Sequence, residues 1–300
     1  MSDIIYEIQS KIKSKILFDY DMGKSTWFRA GGKAKGYVTV NNLKDLKTIV
    51  RYEDKIKYSI IGVGSNLLVR DSGYNGLIIK LGKNFNKISL LRDNIIISGT
   101  SVLDKQLSEF ALSNELSGFE FLSCIPGTVG GGIKMNAGCF GREIKDILVS
   151  IQAIDKIGNI KTIKVNEINF GYRNNNLSEN LIFLSASFKG NKDTKEAIKN
   201  KMIELKEKKE INQPTKIKTS GSTFKNPINQ TNKKVWELIR SSVSIEKSYG
   251  DAFISEKHAN FFVNKKNAKS QDMKSLINFV KEKVEKNTGV KLELEIVVVE

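Results

Sequence analysis

The segment IPGTVGGGIKMNAG, residues 125–138, decides the fold of this 300-residue chain. Glycine loses more conformational freedom on folding than any other residue, so a dense glycine cluster indicates that the backbone must come close to another group. Strands are predicted on either side of the cluster, in IIISGT and ILVSIQAI, which places it in a long loop of an α+β region. We expect this loop to cradle an anion through its backbone N–H groups.

A shorter glycine loop, GVGSN at residues 62–66, follows a predicted buried strand, YSII. Glycines at a strand end let backbone N–H groups approach a phosphate, and Ser65 and Asn66 can add side-chain hydrogen bonds. The loop lacks the third glycine of a dinucleotide-binding fingerprint, and β-like residues follow it instead of a helix. Tight turns without a ligand are the alternative for this loop alone. Together, the two loops predict a large cofactor with a pyrophosphate and a flat ring.

The apolar pattern around these loops predicts alternating helices and strands. Isoleucines at every fourth position predict an N-terminal amphipathic helix that includes Ile4, Ile8, Ile12 and Ile16. Asn41 or Asn42 is expected to cap the next helix. Further elements are predicted as helices over residues 103–112, 194–210 and 271–286, a hairpin around residues 157–159, and a terminal strand in VKLELEIVVV.

The length and the pattern predict more than one domain. Three hundred residues exceed the usual size of one hydrophobic core. The pattern changes after the predicted charged helix that begins near residue 194, which favours a boundary there. We therefore expect a two-lobed region over residues 1–195, a smaller α+β domain over 196–290, and a terminal strand over 291–300.

The net charge of +16 suggests nucleic-acid binding, but the distribution of the charge along the chain does not favour it. The lysines are spread along the chain, and the densest run, residues 201–209, is interrupted by Glu204 and Glu207, as on a solvated helix face. Codon bias towards lysine, or a polyanionic small substrate, accounts for the charge better than nucleic acid does. The sequence shows no apolar stretch long enough to span a membrane and no signal peptide, so we expect a cytoplasmic protein without a membrane partner.

Few residues are available for redox or histidine-based chemistry. Cys124 and Cys139 show no metal-ligand spacing, and we interpret them as small, partly buried thiols, with no metal site expected. His258 is the single histidine and is expected to be structural. Unless His258 does all of this work, proton transfer near neutral pH falls mainly to serine, tyrosine, lysine, cysteine or carboxylate side chains.

Three positions are candidates for this chemistry. Ser222, in SGSTFKNP, has no nearby histidine, but it can donate a proton if a cation such as Lys225 lowers its pKa; an ordinary serine turn is the alternative. Arg173, in FGYR, suits a substrate carboxylate, with a surface salt bridge as the alternative. Glu293 and Glu295 share one face of the predicted terminal strand. The pattern does not choose between them.

Seven segments in the same order carry a resemblance to a known family. They are TWFRAGGKA, IGVGSNLLVRDSGYNGLII, GFEFLSCIPGTVGGGIKMNAGCFG, FGYR, SGSTFKNP, ISEKHANFFVN and GVKLELEI. In these the chain resembles the MurB family, the UDP-N-acetylenolpyruvoylglucosamine reductases. The resemblance implies an α+β fold with an FAD-binding PCMH-type (vanillyl-alcohol-oxidase-like) two-lobed flavin domain. It also implies a smaller α+β substrate-binding domain and a terminal strand that carries the catalytic glutamate.

The resemblance also implies roles for individual residues. Arg173 and Glu295 match the pair that stabilises the enol form of the substrate carboxylate, and Ser222 matches the proton donor. The sugar nucleotide is expected to contact Tyr172, Lys225 and Asn226. The expected contacts of non-covalently bound FAD are Gly62, Gly64, Ser65, Asn66, Leu67, Pro126, Gly127, Thr128, Gly130, Gly131, Asn136, Ala137 and Gly138.

The implied reaction is reduction of UDP-N-acetylglucosamine enolpyruvate to UDP-N-acetylmuramate in peptidoglycan precursor synthesis, with NADPH as hydride donor. We expect a monomer of the shorter subtype, which lacks the tyrosine-bearing loop. Ser241 and Ser242 depart from the family pattern and put local substrate contacts in doubt. The alternatives are another PCMH-type flavin oxidoreductase, such as a sugar or alcohol oxidase, a basic nucleic-acid-binding protein, and a non-catalytic UDP-sugar-binding module.

Overall fold

The computed structural model describes residues 2–92 and 94–300, and the chain divides into two compact units. The first unit comprises Met1–Phe18, Gly36–Gly62 and Gly76–Lys209. The second comprises Asp19–Lys35, Val63–Asn75 and Glu210–Glu300. The second unit thus gathers two short early segments around the last third of the sequence. The cofactor and substrate roles expected for residues 1–195 and 196–290 stay predictions.

The described strands are short and often follow one another in runs, whereas the two longest helices have 18 and 19 residues. The helices are α1 Ser2–Lys11, α2 Leu43–Val50, α3 Asp104–Ser113, α4 Val129–Lys134, α5 Lys195–Asn212, α6 Val235–Ser242 and α7 Ser270–Thr288. The strands are β1 Ile16–Asp21, β2 Lys33–Val40, β3 Tyr58–Ile61, β4 Leu67–Val69, β5 Tyr74–Leu81, β6 Ile88–Arg92, β7 Ile95–Gly99, β8 Leu116–Ser117, β9 Gly138–Cys139, β10 Arg142–Glu143, β11 Leu148–Ile154, β12 Ile160–Lys164, β13 Ile182–Lys189, β14 Asn191–Lys192, β15 Ser248–Tyr249, β16 Ala252–Ile254, β17 Phe262–Asn264 and β18 Val297–Val299.

Two larger sheets have the strand orders β1-β2-β5-β3 and β12-β11-β13-β7-β6. Strands β11 and β12 form the predicted hairpin, with Ile151 opposite Ile163. Gly158 occupies its turn with a φ of 91°, a conformation that glycine adopts without strain. In the first unit, buried side chains of α1 and α2 cluster with those of β2 and β5, and a second cluster surrounds α3, α4, β11 and β13.

The second unit has its own core around α6 and α7. The buried face of α7 consists of Met273, Leu276, Ile277, Val280 and Val284, as the helical period predicts. This helix ends at Gly289, which adopts a left-handed conformation with a φ of 73°. The same core contains Phe224 and Phe262, whose rings meet edge to face at 5.8 Å. Strands β15-β16-β17 form one small sheet, and β18 pairs in parallel with β4.

Several predicted elements are confirmed, whereas others end earlier than expected. The helices predicted over residues 103–112, 194–210 and 271–286 correspond to α3, α5 and α7. Asn42 caps α2, because its Oδ1 accepts the Asp45 N–H at 2.8 Å. The N-terminal helix ends at Lys11, so Ile12 and Ile16 of the predicted helix lie beyond it, with Ile16 in β1, although both are buried like Ile8.

The predicted ten-residue terminal strand was wrong in length. Only Val297–Val299 is a strand, and Glu295 lies in a bend before it. The chain changes its partner here: Leu294 bridges Phe224, whereas Val297 pairs with Leu67. Near the end, Ile296 and Val299 are buried, whereas Val297 is exposed. Within residues 2–92 and 94–300, we find no helix with the length and apolar character that a bilayer crossing requires.

Candidate active site

The long glycine segment is not the open loop that the sequence predicts. A 3-10 helix, Glu120–Cys124, precedes it, and residues 129–134 form α4. Thr128 caps this short helix, since its Oγ1 accepts the Gly131 N–H at 3.4 Å. Glycine disfavours helices, so the surrounding packing has to impose this one. A Cβ on Gly132 would lie 2.6 Å from the Ile144 Cδ1, so a larger residue here would force the buried Ile144 side chain to shift.

Gly131 differs from its neighbours because no packing contact explains it. Its residue is exposed, and a Cβ would meet only the Thr128 Oγ1, at 3.5 Å. A side chain at this position would instead project from the protein surface into the space that a ligand could occupy. A glycine that the fold does not need is what a cradle for a closely approaching ligand requires. The predicted FAD contact at Gly131 therefore fits the structure.

In the shorter glycine loop, close packing requires glycine at two positions, Gly62 and Gly64. In the first unit, a Cβ on Gly62 would lie 2.5 Å from the Thr128 Oγ1, so Gly62 lies against the cap of α4. In the second unit, Gly64 has a φ of 70°, and a Cβ there would overlap the Ser25 carbonyl oxygen. The Gly64 carbonyl accepts the Trp27 N–H at 3.0 Å. These two glycines thus let protein segments approach each other within their own units.

Asp104 is a buried carboxyl group beside the glycine segment that the sequence did not single out. It is fully buried at the start of α3, and among the described residues neither of its carboxyl oxygens has a hydrogen-bond partner. Its Oδ2 would lie 2.6 Å from a Cβ added to Gly127, and its Oδ1 would lie 3.2 Å from a Cβ added to Gly132. Burial raises the pKa of Asp104 to about 8, because a charge without a partner is poorly solvated there.

Asn66 connects the shorter glycine loop to the C-terminal segment within the second unit. Its Nδ2 donates a hydrogen bond to the Glu295 carbonyl at 2.9 Å, and its own carbonyl accepts the Val297 N–H at 2.9 Å. Ser65 and Asn66 form the turn before β4, and the Leu67 carbonyl accepts the Ser220 hydroxyl at 3.2 Å. The structure thus brings the predicted cofactor residues Ser65 to Leu67 next to the predicted catalytic Glu295.

Ser222 and Glu295 are also close along the backbone. The Glu295 N–H donates to the carbonyl of Thr223 at 2.9 Å, and Thr223 is the residue after Ser222. Phe224 bridges Leu294, and Ser222 bridges Phe261, so two neighbouring segments hold the serine. Glu295 is half-buried here, whereas the Glu293 side chain is 74% exposed. Of the two candidates for the catalytic glutamate, the structure therefore favours Glu295, because its side chain is the one that the fold partly encloses.

Asn260 fixes the serine segment, and the sequence did not identify it as functional. Its Oδ1 accepts the Phe224 N–H at 3.0 Å, its Nδ2 donates to the Phe224 carbonyl at 2.8 Å, and its carbonyl accepts the Thr223 N–H at 2.7 Å. The Asn260 N–H donates to Nδ1 of His258 at 3.3 Å. Burial lowers the pKa of His258, so the imidazole is neutral at pH 7 and acts as a structural acceptor.

The predicted substrate residues of the second unit make protein contacts of their own. The Lys225 N–H donates to the Glu293 carbonyl at 2.9 Å, and its Nζ lies 3.8 Å from the Glu293 carboxylate. The Oδ1 of Asn226 accepts the Val235 N–H at 3.0 Å, at the first residue of α6. Their roles in binding the sugar nucleotide stay predictions.

Arg173 is held within the first unit and is not an ordinary surface residue. Its side chain is 18% exposed, and its guanidinium carbon lies 5.0 Å from the centre of the Tyr172 ring. Its Nη2 donates to the Gly138 carbonyl at 2.9 Å, and its Nη1 lies 3.7 Å from Oε1 of Glu143. The residue has a φ of 57°, a strained conformation that is typical of functional positions.

Asn136 and Ala137 connect α4 to the turn before Arg173. Asn136 is fully buried, and its Nδ2 donates to Oε2 of Glu143 at 2.9 Å and to the Gly171 carbonyl at 3.1 Å. Ala137 donates its N–H to the Gly132 carbonyl at 2.8 Å. The Asn136 side chain is thus used in positioning the protein, and its predicted contact with FAD stays a prediction, as does that of the exposed Pro126.

Comparisons with known proteins agree over nearly the whole chain. Residues 213–299 match the model of the UDP-N-acetylenolpyruvoylglucosamine reductase C-terminal domain, and residues 34–164 match an FAD binding domain. The UDP-N-acetylenolpyruvoylglucosamine reductase of Pelagibacter ubique is 58% identical over 97% of each chain. The protein of that name from Rickettsia conorii is 44% identical over 95% of this chain and 96% of its own.

A solved structure extends the likeness to three dimensions. The crystal structure of UDP-N-acetylenolpyruvylglucosamine reductase (MurB) from Thermus caldophilus superimposes with a TM-score of 0.83 at 31% sequence identity. The match covers 96% of this chain and 99% of that one. Together with the FAD binding domain, it confirms the predicted α+β fold with a PCMH-type flavin domain.

Proposed function

The chain belongs to the UDP-N-acetylenolpyruvoylglucosamine reductase family, and from this we propose how its residues divide the work of the reaction. It is an FAD-dependent oxidoreductase that uses NADPH to reduce the enolpyruvyl group of UDP-N-acetylglucosamine enolpyruvate. The product, UDP-N-acetylmuramate, is a precursor of peptidoglycan. Membership of this family excludes the sugar or alcohol oxidase, the nucleic-acid-binding protein and the UDP-sugar-binding module as the main function.

FAD is proposed to bind along the two glycine segments. Gly131 supports this assignment, because its missing side chain leaves room outside the protein surface. Gly62 and Thr128 lie in contact and would form one continuous part of the cradle. When bound, FAD supplies the hydride chemistry, since it accepts a hydride from NADPH and passes one to C3 of the enolpyruvyl group. The protein has to bind the substrate, stabilise the charge that develops and deliver a proton.

Arg173 is proposed to stabilise the negative charge that spreads over the substrate carboxylate when C3 receives the hydride. A planar guanidinium can bind both carboxylate oxygens and remains charged throughout. The contacts with Gly138 and Glu143 support this role because they hold the guanidinium before the charge develops. Glu295 is proposed to share the stabilisation as the protonated acid, because only that form can donate a hydrogen bond to the enolate.

Ser222 is proposed to donate the proton that C2 requires. The observation that carries this proposal is the bond from the Glu295 N–H to the Thr223 carbonyl, because it holds the segments of both catalytic candidates side by side. His258 does not compete for the role, since it is neutral and its Nδ1 already accepts the Asn260 N–H. Tyr172, Lys225 and Asn226 are proposed to bind the sugar nucleotide.

Anaerobic visible absorbance of the purified protein tests the reaction in two steps. A flavin band that bleaches with NADPH and returns with UDP-N-acetylglucosamine enolpyruvate is the expected result. A band that bleaches but recovers only with oxygen would indicate an oxidase instead. No flavin band after incubation with FAD would overturn the assignment of the glycine segments.

We also propose that the protein works in the cytoplasm as a monomer, without a nucleic-acid or membrane partner. The reaction supports the location, because NADPH and UDP-activated sugars are cytoplasmic metabolites. Size-exclusion chromatography with light scattering, at protein concentrations spanning the expected cellular range, tests the oligomeric state. A mass that corresponds to two or more chains at every concentration would contradict the monomer.

A further inference from the structure

Arg173 is anchored at two points to a single pair of strands. Strand β10 pairs with β9 in the register Glu143 opposite Gly138, and the guanidinium contacts both of these residues. Nη2 of Arg173 donates to the Gly138 carbonyl at 2.9 Å, and Nη1 lies 3.7 Å from the Glu143 carboxylate. Because a guanidinium is planar and rigid, contacts at two of its nitrogens restrict the orientation of its plane as well as its position.

The Glu143 carboxylate is itself fixed, which allows it to serve as an anchor. Its Oε2 accepts the Asn136 Nδ2 at 2.9 Å and lies 3.0 Å from Nζ of Lys145. The side chain is 22% exposed, so solvent screens these contacts less than it would on an open surface. Asn136 also donates to the carbonyl of Gly171, two residues before Arg173. One buried amide therefore ties the carboxylate to the backbone that carries the arginine.

We propose that Glu143 is a positioning residue for the reduction step, which holds the Arg173 guanidinium in the orientation that stabilises the substrate enolate. The inference rests on the role of Arg173 proposed above. An arginine in a left-handed turn has a long side chain with many rotamers available to it, and the Gly138 carbonyl and the Glu143 carboxylate restrict different nitrogens of its guanidinium. Removal of the carboxylate charge should leave the arginine in place but weaken one of the contacts that orient its guanidinium.

The test compares Glu143→Gln with the unaltered protein, each loaded with FAD, in the two half-reactions measured by anaerobic stopped-flow. The substituted amide is close in shape to the carboxylate, but it lacks the charge that attracts the guanidinium. We expect the affinity for FAD and the rate of flavin bleaching by NADPH to stay unchanged. The return of the flavin band with the enolpyruvyl substrate is expected to slow by about tenfold to a hundredfold.

Glu179→Gln is the matched control, because it removes a carboxylate of the same unit that pairs with Lys134 at 2.8 Å and is 85% exposed. It should leave both half-reactions at their normal rates. Arg173→Ala and the double variant Glu143→Gln/Arg173→Ala complete a mutant cycle. If Glu143 acts through Arg173, its substitution causes no further slowing once the arginine is gone.

The outcomes separate the two proposals. Slow substrate-dependent return in Arg173→Ala with a normal rate in Glu143→Gln overturns the positioning role and retains the role of Arg173. A normal rate in Arg173→Ala overturns the role of Arg173 itself. Equal slowing of both half-reactions in Glu143→Gln, or weaker FAD binding, shows a general structural role and contradicts the proposal. Additive slowing in the double variant does the same.

Discussion

Replacement of Asp104 by asparagine should change how the stability of the protein depends on pH. The carboxyl is fully buried beside Gly127 and Gly132 without a hydrogen-bond partner among the described residues, and burial raises its pKa to about 8. In the unfolded chain the pKa returns to an ordinary value near 3.8. Between these two values, the folded protein holds one proton more than the unfolded chain does. Its free energy of unfolding therefore falls as the pH rises through this window.

The size of the effect follows from proton linkage. One extra bound proton corresponds to a loss of about 1.4 kcal/mol in unfolding free energy for each pH unit between about 4 and 8. From pH 5 to pH 7, this carboxyl alone should lower the stability by about 2.7 kcal/mol. Asp104→Asn removes the titrating group. Burial of the asparagine amide changes the free energy of unfolding by a constant amount that does not vary with pH.

The measurement is urea-induced unfolding followed by far-ultraviolet circular dichroism at pH 5, 6, 7 and 8. The stability of Asp104→Asn minus that of the unaltered protein should grow by about 1.4 kcal/mol per pH unit and level off above about pH 8. Glu109→Gln, on the same helix α3, is the control. Its carboxylate is 51% exposed and pairs with Lys105, so this difference should stay nearly flat. If the Asp104→Asn difference is equally flat, the carboxyl is not buried and neutral, and the reasoning is refuted.

Two further substitutions test the cofactor and catalytic assignments. Gly131→Ala should leave the free energy of unfolding unchanged or raise it by about 0.5–1 kcal/mol, because alanine suits a helix better, yet lower the affinity for FAD about tenfold through overlap with the ligand. Thermal unfolding and flavin titration check this. Gly132→Ala is the control and should destabilise the fold, because its added Cβ would overlap the Ile144 side chain. An unchanged affinity of Gly131→Ala for FAD would contradict the proposed cradle. Ser222→Ala should retain flavin bleaching by NADPH but slow its substrate-dependent return by about 10²–10⁴-fold in anaerobic stopped-flow. Equal loss of both steps would argue against a proton donor.

The periodic parts of the sequence predicted the fold well because their signals are local. The buried face of α7 and the cap of α2 by Asn42 follow from residues a few positions apart. Helix α4 could not be predicted in this way, since its glycines contradict helix propensity and only the packing against distant side chains such as Ile144 imposes it. The terminal strand failed for a related reason. Its alternation continues through Glu295, but its bonding partner changes there.

The candidate site was predictable where a motif marks it and hidden where long-range contacts build it. Ser222 and Arg173 stand in short segments with recognisable chemistry. Asp104, Glu143 and Asn260 act through neighbours that the chain brings from far away, as in the bonds from Asn260 to Phe224, 36 residues earlier. Asn260 lies in the segment ISEKHANFFVN, but its role there depends on these distant partners, and nothing in the sequence around Asp104 or Glu143 distinguishes them from a helix start or a hairpin residue.

The parallel pairing of β4 with β18 sets the order in which the parts of this protein can fold during translation. Leu67 pairs with Val297, and the Asn66 side chain bonds to Glu295, 229 residues later. The turn of the shorter glycine loop therefore emerges early but waits, without its partners, until translation has passed residue 299. The first unit has its last segment once Lys209 has emerged, so it can fold while the second is still being made. Throughout that interval the apolar side chains of β4 lack their partner strand, and we expect chaperones to bind them.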